Sequence, residues 1–134
     1  MADRAREIAA VLQQIRHRHK LVMGEKLKHL REKISEFLPE PLLDQMRLST
    51  EEGILLQRHD IAEEITRLES HLEALHEALK EKGAVGRKLD FLIQEMNRES
   101  NTIGSKSSDA KMAQSVVRLK ELLEQLREQI QNIE

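Results

Sequence analysis

A chain of 134 residues with 39% hydrophobic and 34% charged side chains is one domain's worth of foldable material, too apolar for a disordered tail. Phe37 and Phe91 are its only aromatic residues and β-branched residues are few, which excludes a substantial sheet and predicts an all-α fold; the lack of cysteine excludes disulfides, thiolate zinc sites and a cysteine nucleophile. A net charge of −2 excludes a globally basic nucleic-acid binder, and no apolar run approaches the roughly 18 residues of a membrane span, so a cytoplasmic protein with no membrane partner is expected.

The first helix is predicted from about Asp3 to Phe37, ended by Pro39 and Pro41, because each proline removes a donor and biases its predecessor out of helix. Ile8, Leu12, Ile15 and Val22, then Met23, Leu27, Leu30, Ile34 and Phe37, keep an apolar seam with a phase slip near Gly24. Such a helix is on the order of 50 Å long, so it is expected to project as an arm. Residues 1–45 are accordingly read as a basic arm and turn, and residues 46–134 as a helical domain.

Charge is segregated along this order. From Arg16 to Lys33, seven Lys and Arg residues stand against Glu25 and Glu32, with His17, His19 and His29 among them. From Glu51 to Glu81, nine acids stand against Arg58, Arg67 and Lys80. Mutual neutralisation explains such a pair of elements, and so does a site that attracts a polyanion with one and holds cations with the other.

The second helix is predicted to open at Ser49, with Glu52 completing a capping box. Ile54, Ile61, Leu68 and Leu75 repeat every seven residues beside Ile65, Leu72 and Leu79. The turn from Lys82 to Gly86 then folds the third helix back antiparallel as a hairpin. That helix carries an apolar seam of Leu89, Leu92, Met96 and Ile103, a polar flank of Asp90, Gln94, Asn97 and Asn101, and a charged flank of Lys88, Glu95 and Glu99. Gly104 is a predicted stop and Ser108 or Asp109 the next cap. Met112, Val116, Leu119, Leu123, Leu126, Ile130 and Ile133 form a terminal heptad helix, the pattern of a helical bundle or coiled coil.

Asp60, Glu64, Arg67 and His71 are spaced 4, 3 and 4, which places them on one edge of the second helix. In an antiparallel hairpin that edge faces Glu95 and Glu99, with His71 level with Arg98 and Glu99. Glu64, His71, Glu95 and Glu99 are therefore expected to converge, with Asp60 farther along. Acids paired at this spacing want a cation or a compensating arginine. Mn2+ or Mg2+ suits such donors, while ordinary surface ion pairs worth roughly 0 to 1 kcal/mol are the competing reading. Ser105 to Ser108, with Lys106, stand where a helix N-terminus holds phosphate.

The segments RHDIAEEITRLESHLEALHEAL, GRKLDFLIQEMNRESNTIGSKSSDA and LKELLEQLREQIQNIE closely resemble the C-terminal region of the YicC family of bacterial endoribonucleases. The resemblance covers about Met46 to Glu134, and the arm from Arg4 to Phe37 is similar to the long helix that precedes this region in the family. It implies a cytoplasmic, divalent-metal-dependent enzyme that cuts single-stranded RNA, assembled as a ring-like homo-oligomer and acting in small-RNA turnover. The family's polar signature falls on Arg58, Asp60, Glu63, Glu64, Arg67 and His71, then on Gly86, Arg87, Asp90, Gln94, Glu95, Asn97, Arg98, Glu99, Asn101 and Lys106.

On that basis Glu64, His71, Glu95 and Glu99 are the expected catalytic residues and, with Asp60, the metal ligands. Arg67, Arg87, Asn97, Arg98, Asn101 and Lys106 are the expected RNA contacts. The family's usual chain has a further N-terminal half that this sequence lacks, so the resemblance leaves open whether this chain cleaves RNA by itself. A non-catalytic helical oligomerisation or RNA-binding module, built on the heptads and the arm, is the alternative.

Overall fold

A computed structural model of the chain describes residues 2–37, 61–81 and 85–133, and these form four helices with no strand among the described residues. Helix α1 is Ala2–Phe37, α2 is described over residues 61–80, α3 is Gly86–Lys106 and α4 is Ala110–Ile133. The all-α expectation therefore holds. The predicted prolyl stop, the Ser49 cap, Ile54, Arg58 and Asp60 lie outside the described residues.

Ion pairs between helices fix the direction of each. Arg16 of α1 meets Glu69 of α2 at 2.6 Å, and one groove between them is lined by both Ala9 and His76, so the two run antiparallel. Helices α2 and α3 are antiparallel as well, since Glu81 pairs with Lys88 while Glu64 pairs with Lys106. At the other side of α3, Asp90 lies 3.6 Å from Arg127 and Gly104 abuts Val116, which makes α4 antiparallel in turn. The result is an up-down-up-down bundle in which α4 packs against both α1 and α3.

One core runs through all four helices. Ile8, Leu12 and Ile15 of α1, Ile65, Leu68 and Leu75 of α2, Met96 and Ile103 of α3, and Met112, Leu119, Leu122, Leu123 and Leu126 of α4 are all essentially without solvent contact. Truncating any of these to alanine is worth about 2–5 kcal/mol. The α4 heptad positions from Met112 to Ile130 are thus buried against α1 and α3 within the chain, and Leu122 joins them from outside the heptad rows.

The long first helix is only partly an arm. Up to Met23 its apolar face belongs to the bundle core. Beyond the phase slip nothing lies within 4 Å of where a Gly24 side chain would be, and Glu25, Lys26, Lys28, Arg31, Glu32 and Lys33 are exposed. Antiparallel packing against α2 and α4 holds the stretch up to Met23 within the bundle.

Gly104 does not end α3, which continues to Lys106 before Ser107 turns extended with φ −94° and ψ 135°. The glycine instead faces α4, and a Cβ there would lie 3.4 Å from Val116 Cγ1. Asp109 is the cap of α4: its Oδ2 accepts the Met112 N–H at 2.9 Å, as expected for an N-cap carboxylate. The Arg18 guanidinium donates to both oxygens of that carboxylate, from Nε and from Nη2, each at 2.8 Å. These bonds hold the Asp109 carboxyl down at about 2, with the Arg18 hydrogen bond as the largest cause.

Candidate functional site

The site grows from the register of the α2–α3 hairpin. Glu64, Arg67 and His71 follow one another at helical spacing on the α2 edge that faces α3, and Glu95 and Glu99 occupy the facing edge. Because the helices do not slip, His71 arrives level with Glu99, and its Nε2 lies 3.3 Å from Glu99 Oε1. One ligand atom each from His71, Glu95 and Glu99 falls within 4.8 Å of the others. Among the described residues these form the one group of three or more potential metal donors.

Burial sets the electrostatics. Glu64 and Glu99 are each only 6% exposed, an expensive place for a carboxylate unless it is paired. Loss of water pushes the Glu99 carboxyl up from its ordinary value; His71 and Arg67 pull it back, and Glu95 pushes it up further. Arg67 stands between the two acids. Its Nη2 donates to Glu64 Oε1 and its Nε lies 3.5 Å from Glu99 Oε1. Lys106 Nζ approaches Glu64 Oε2 at 3.6 Å, and Arg98 Nη1 stands 3.9 Å from Glu95 Oε2 at the rim. After all these contacts the second oxygens of Glu64 and Glu99 still accept no hydrogen bond.

Of the predicted metal ligands, the structure brings together His71, Glu95 and Glu99. Glu64 stands apart from that group, joined to it through Arg67, and Asp60 lies outside the described residues. Of the predicted RNA contacts, Arg67, Lys106 and Arg98 border the cluster. Arg87 and Asn101 are exposed on α3, and Asn97, two residues on from Glu95, points to the opposite flank of that helix. The polar flank of α3 is partly internal structure: Gln94 donates to Asp90 at 3.0 Å and Asp90 also faces Arg127.

The phosphate-holding role expected of Ser105 to Ser108 meets a physical obstacle. Asp109 already supplies an anion to the α4 N-terminus, Ser107 Oγ accepts the Asp109 N–H, and Lys106 is turned toward Glu64. Spacing along one helix also did not reveal the ties of Lys106 to Glu64 and of Arg18 to Asp109, because both depend on the register between elements far apart in sequence.

Fold and cluster together define an up-and-down helical bundle with a carboxylate–imidazole group between two of its helices. Residues 15–134 match the family described as "Endoribonuclease YicC-like, C-terminal". The chain is 52% identical over 103 residues to the probable endoribonuclease YicC of Clostridioides difficile (strain 630), a match covering 76% of this chain and 35% of that protein. It is 55% identical over 92 residues to the probable endoribonuclease YicC of Haemophilus influenzae, covering 69% of this chain and 32% of that one. The chain belongs to the C-terminal family of YicC-like endoribonucleases. It spans about a third of the length of those curated relatives.

Proposed function

We propose that this chain is the helical, cation-holding part of an endoribonuclease that cuts single-stranded RNA. The named activity of its relatives supports the reaction class, and the carrying observation is the group of His71, Glu95 and Glu99 with a buried Glu99 oxygen left without a hydrogen-bond donor. Two carboxylates suit Mg2+ and Mn2+ alike; the imidazole tips the preference toward Mn2+. Such an ion, when bound, polarises a phosphoryl oxygen and lowers the pKa of a coordinated water.

The remaining residues define what the protein contributes around that ion. Arg67, Lys106 and Arg98 put three cationic side chains on the border of an acidic cluster, a position from which they draw a phosphodiester toward it and fix its orientation. Arg87 is exposed farther along α3, whereas Asn101, two residues on from Glu99, shares the flank of Asn97 and lies away from the cluster. Among the described residues no helix is long and apolar enough to cross a membrane. With the α4 seam buried in the chain, assembly into a homo-oligomer rests on other surfaces; Leu21, Phe91 and Val117 are the exposed large apolar residues among those described.

The test is Mn2+ titration of this chain by calorimetry, together with cleavage of a short unstructured RNA by this chain and by a full-length relative. Specific Mn2+ uptake that disappears in Glu95→Ala and Glu99→Ala, with parallel loss of cleavage in the full-length protein, is the expected result. Undiminished Mn2+-dependent cleavage in both variants would remove these residues from the site.

A further inference from the structure

Arg67 is the cation that already stands between the two buried carboxylates, and its two contacts are unequal. The one to Glu64 lies within a single turn of α2, whereas the one to Glu99 crosses between helices at 3.5 Å and shares Oε1 with His71. Both acids are buried, yet the Arg67 side chain is 51% exposed. It also lines an open concavity of about 290 Å³ with Ala62, Glu63 and Thr66, so its guanidinium has room to move outward without unpacking α2. A buried carboxylate stripped of any counter-charge is strongly destabilising, so the bundle needs an occupant for Glu99 when no metal ion is there. A guanidinium and a divalent ion placed on the same carboxylate compete for it.

We propose that Arg67 is the exchangeable counterion of the cation site: a divalent ion taken up by His71, Glu95 and Glu99 frees the guanidinium from Glu99, and Glu64 retains it. The inference rests on the cation reading given above. It makes Glu64 a positioning residue that acts through Arg67 instead of a ligand. Lys106, 3.6 Å from the other Glu64 oxygen, holds that carboxylate on the side away from His71. The exchange turns Arg67 outward, toward the place where an RNA phosphate would approach the ion.

The experiment is a double-mutant cycle read by Mn2+ calorimetry on the full chain, using Arg67→Gln, Glu64→Gln and the pair, with helix content checked by circular dichroism. Removing the competitor tightens Mn2+ binding in Arg67→Gln by about fivefold or more. Glu64→Gln alone weakens it, since the freed guanidinium falls back on Glu99, but changes it by less than about twofold once Arg67 is gone. Arg67→Met, which keeps the apolar stem, carries the same test if the glutamine variant loses its helicity. Mn2+ affinity that is no tighter in a folded Arg67 variant overturns the exchange. Equal weakening by Glu64→Gln in both backgrounds also overturns it, and makes Glu64 a ligand. Absence of Mn2+ binding in the unaltered chain and every variant overturns the cation reading itself, and this inference with it.

Discussion

Two charged clusters tie this bundle together, and they are built to opposite standards. At the junction of α1 and α4, Asp109 receives two bonds from Arg18 and one from the Met112 N–H, and its carboxyl is held at about 2. Between α2 and α3, Glu99 is more deeply buried, shares one oxygen between Arg67 and His71, leaves the other without a donor, and has its carboxyl pushed up. The first is a finished structural clamp. A fold that can complete the clamp at Asp109 has no stability reason to leave Glu99 incomplete, and that contrast is what the proposed cation site in the hairpin would account for.

The largest expected effect breaks the comparison on the functional side. Glu99→Ala or Glu95→Ala in a full-length relative should lower Mn2+-dependent RNA cleavage by on the order of 100-fold or more, since loss of even an indirect partner of a metal ligand costs 10- to 100-fold. Asp109→Asn in the same protein should leave cleavage within about threefold, because that carboxylate faces α1 and not the hairpin. Comparable losses at both places would erase the distinction.

Stability should respond in the reverse order. Asp109→Ala removes a helix cap as well as the partner of Arg18, and is expected to cost about 1 kcal/mol or more in chemical denaturation. Its pH dependence has a definite sign: the folded carboxyl lies below its unfolded value of about 3.8, so the clamp's contribution is complete above that value and fades as pH falls toward about 2. Glu99 runs the other way. Its folded carboxyl is raised, so ionised Glu99 weighs against folding at neutral pH, and this cost lifts as pH falls through the raised value. Glu99→Gln should therefore leave the metal-free Tm equal or a few degrees higher while abolishing any rise in Tm with Mn2+. The Asp109 variant should keep that rise.

Much of this was legible in the sequence, for identifiable reasons. The span of α1, the break before Asp109 and the pairing of His71 with Glu99 follow from caps, apolar periodicity and a short turn, all of which act locally. What was hidden depends on pairs distant along the chain. Arg18 and Asp109 are 91 residues apart, and nothing in either neighbourhood marks the other. Glu64 has the right spacing to join Glu99, yet Arg67 on the next turn intercepts it, a competition that helical periodicity does not resolve. Asp90 and Gln94 share the polar flank of α3, yet nothing in their spacing shows that Asp90 is engaged by Arg127 across the α3–α4 seam as well as by Gln94 beside it.

The smallest effect tests whether the two faces of α3 are independent. Gly104 turns toward Val116 of α4, while Lys106, two residues on, turns toward Glu64 of α2. Gly104→Ala removes the entropic cost of glycine inside a helix, and the new methyl meets Val116 Cγ1 at 3.4 Å, the near limit of ordinary contact. The expected outcome is a gain of about 0.5–1 kcal/mol with Mn2+ affinity unchanged. An altered Mn2+ affinity would mean that α4 sets the position of Lys106 and, through Glu64 and Arg67, reaches the cation cluster. The structural clamp and the functional cluster would then be two ends of one mechanical unit, joined by the last two turns of α3.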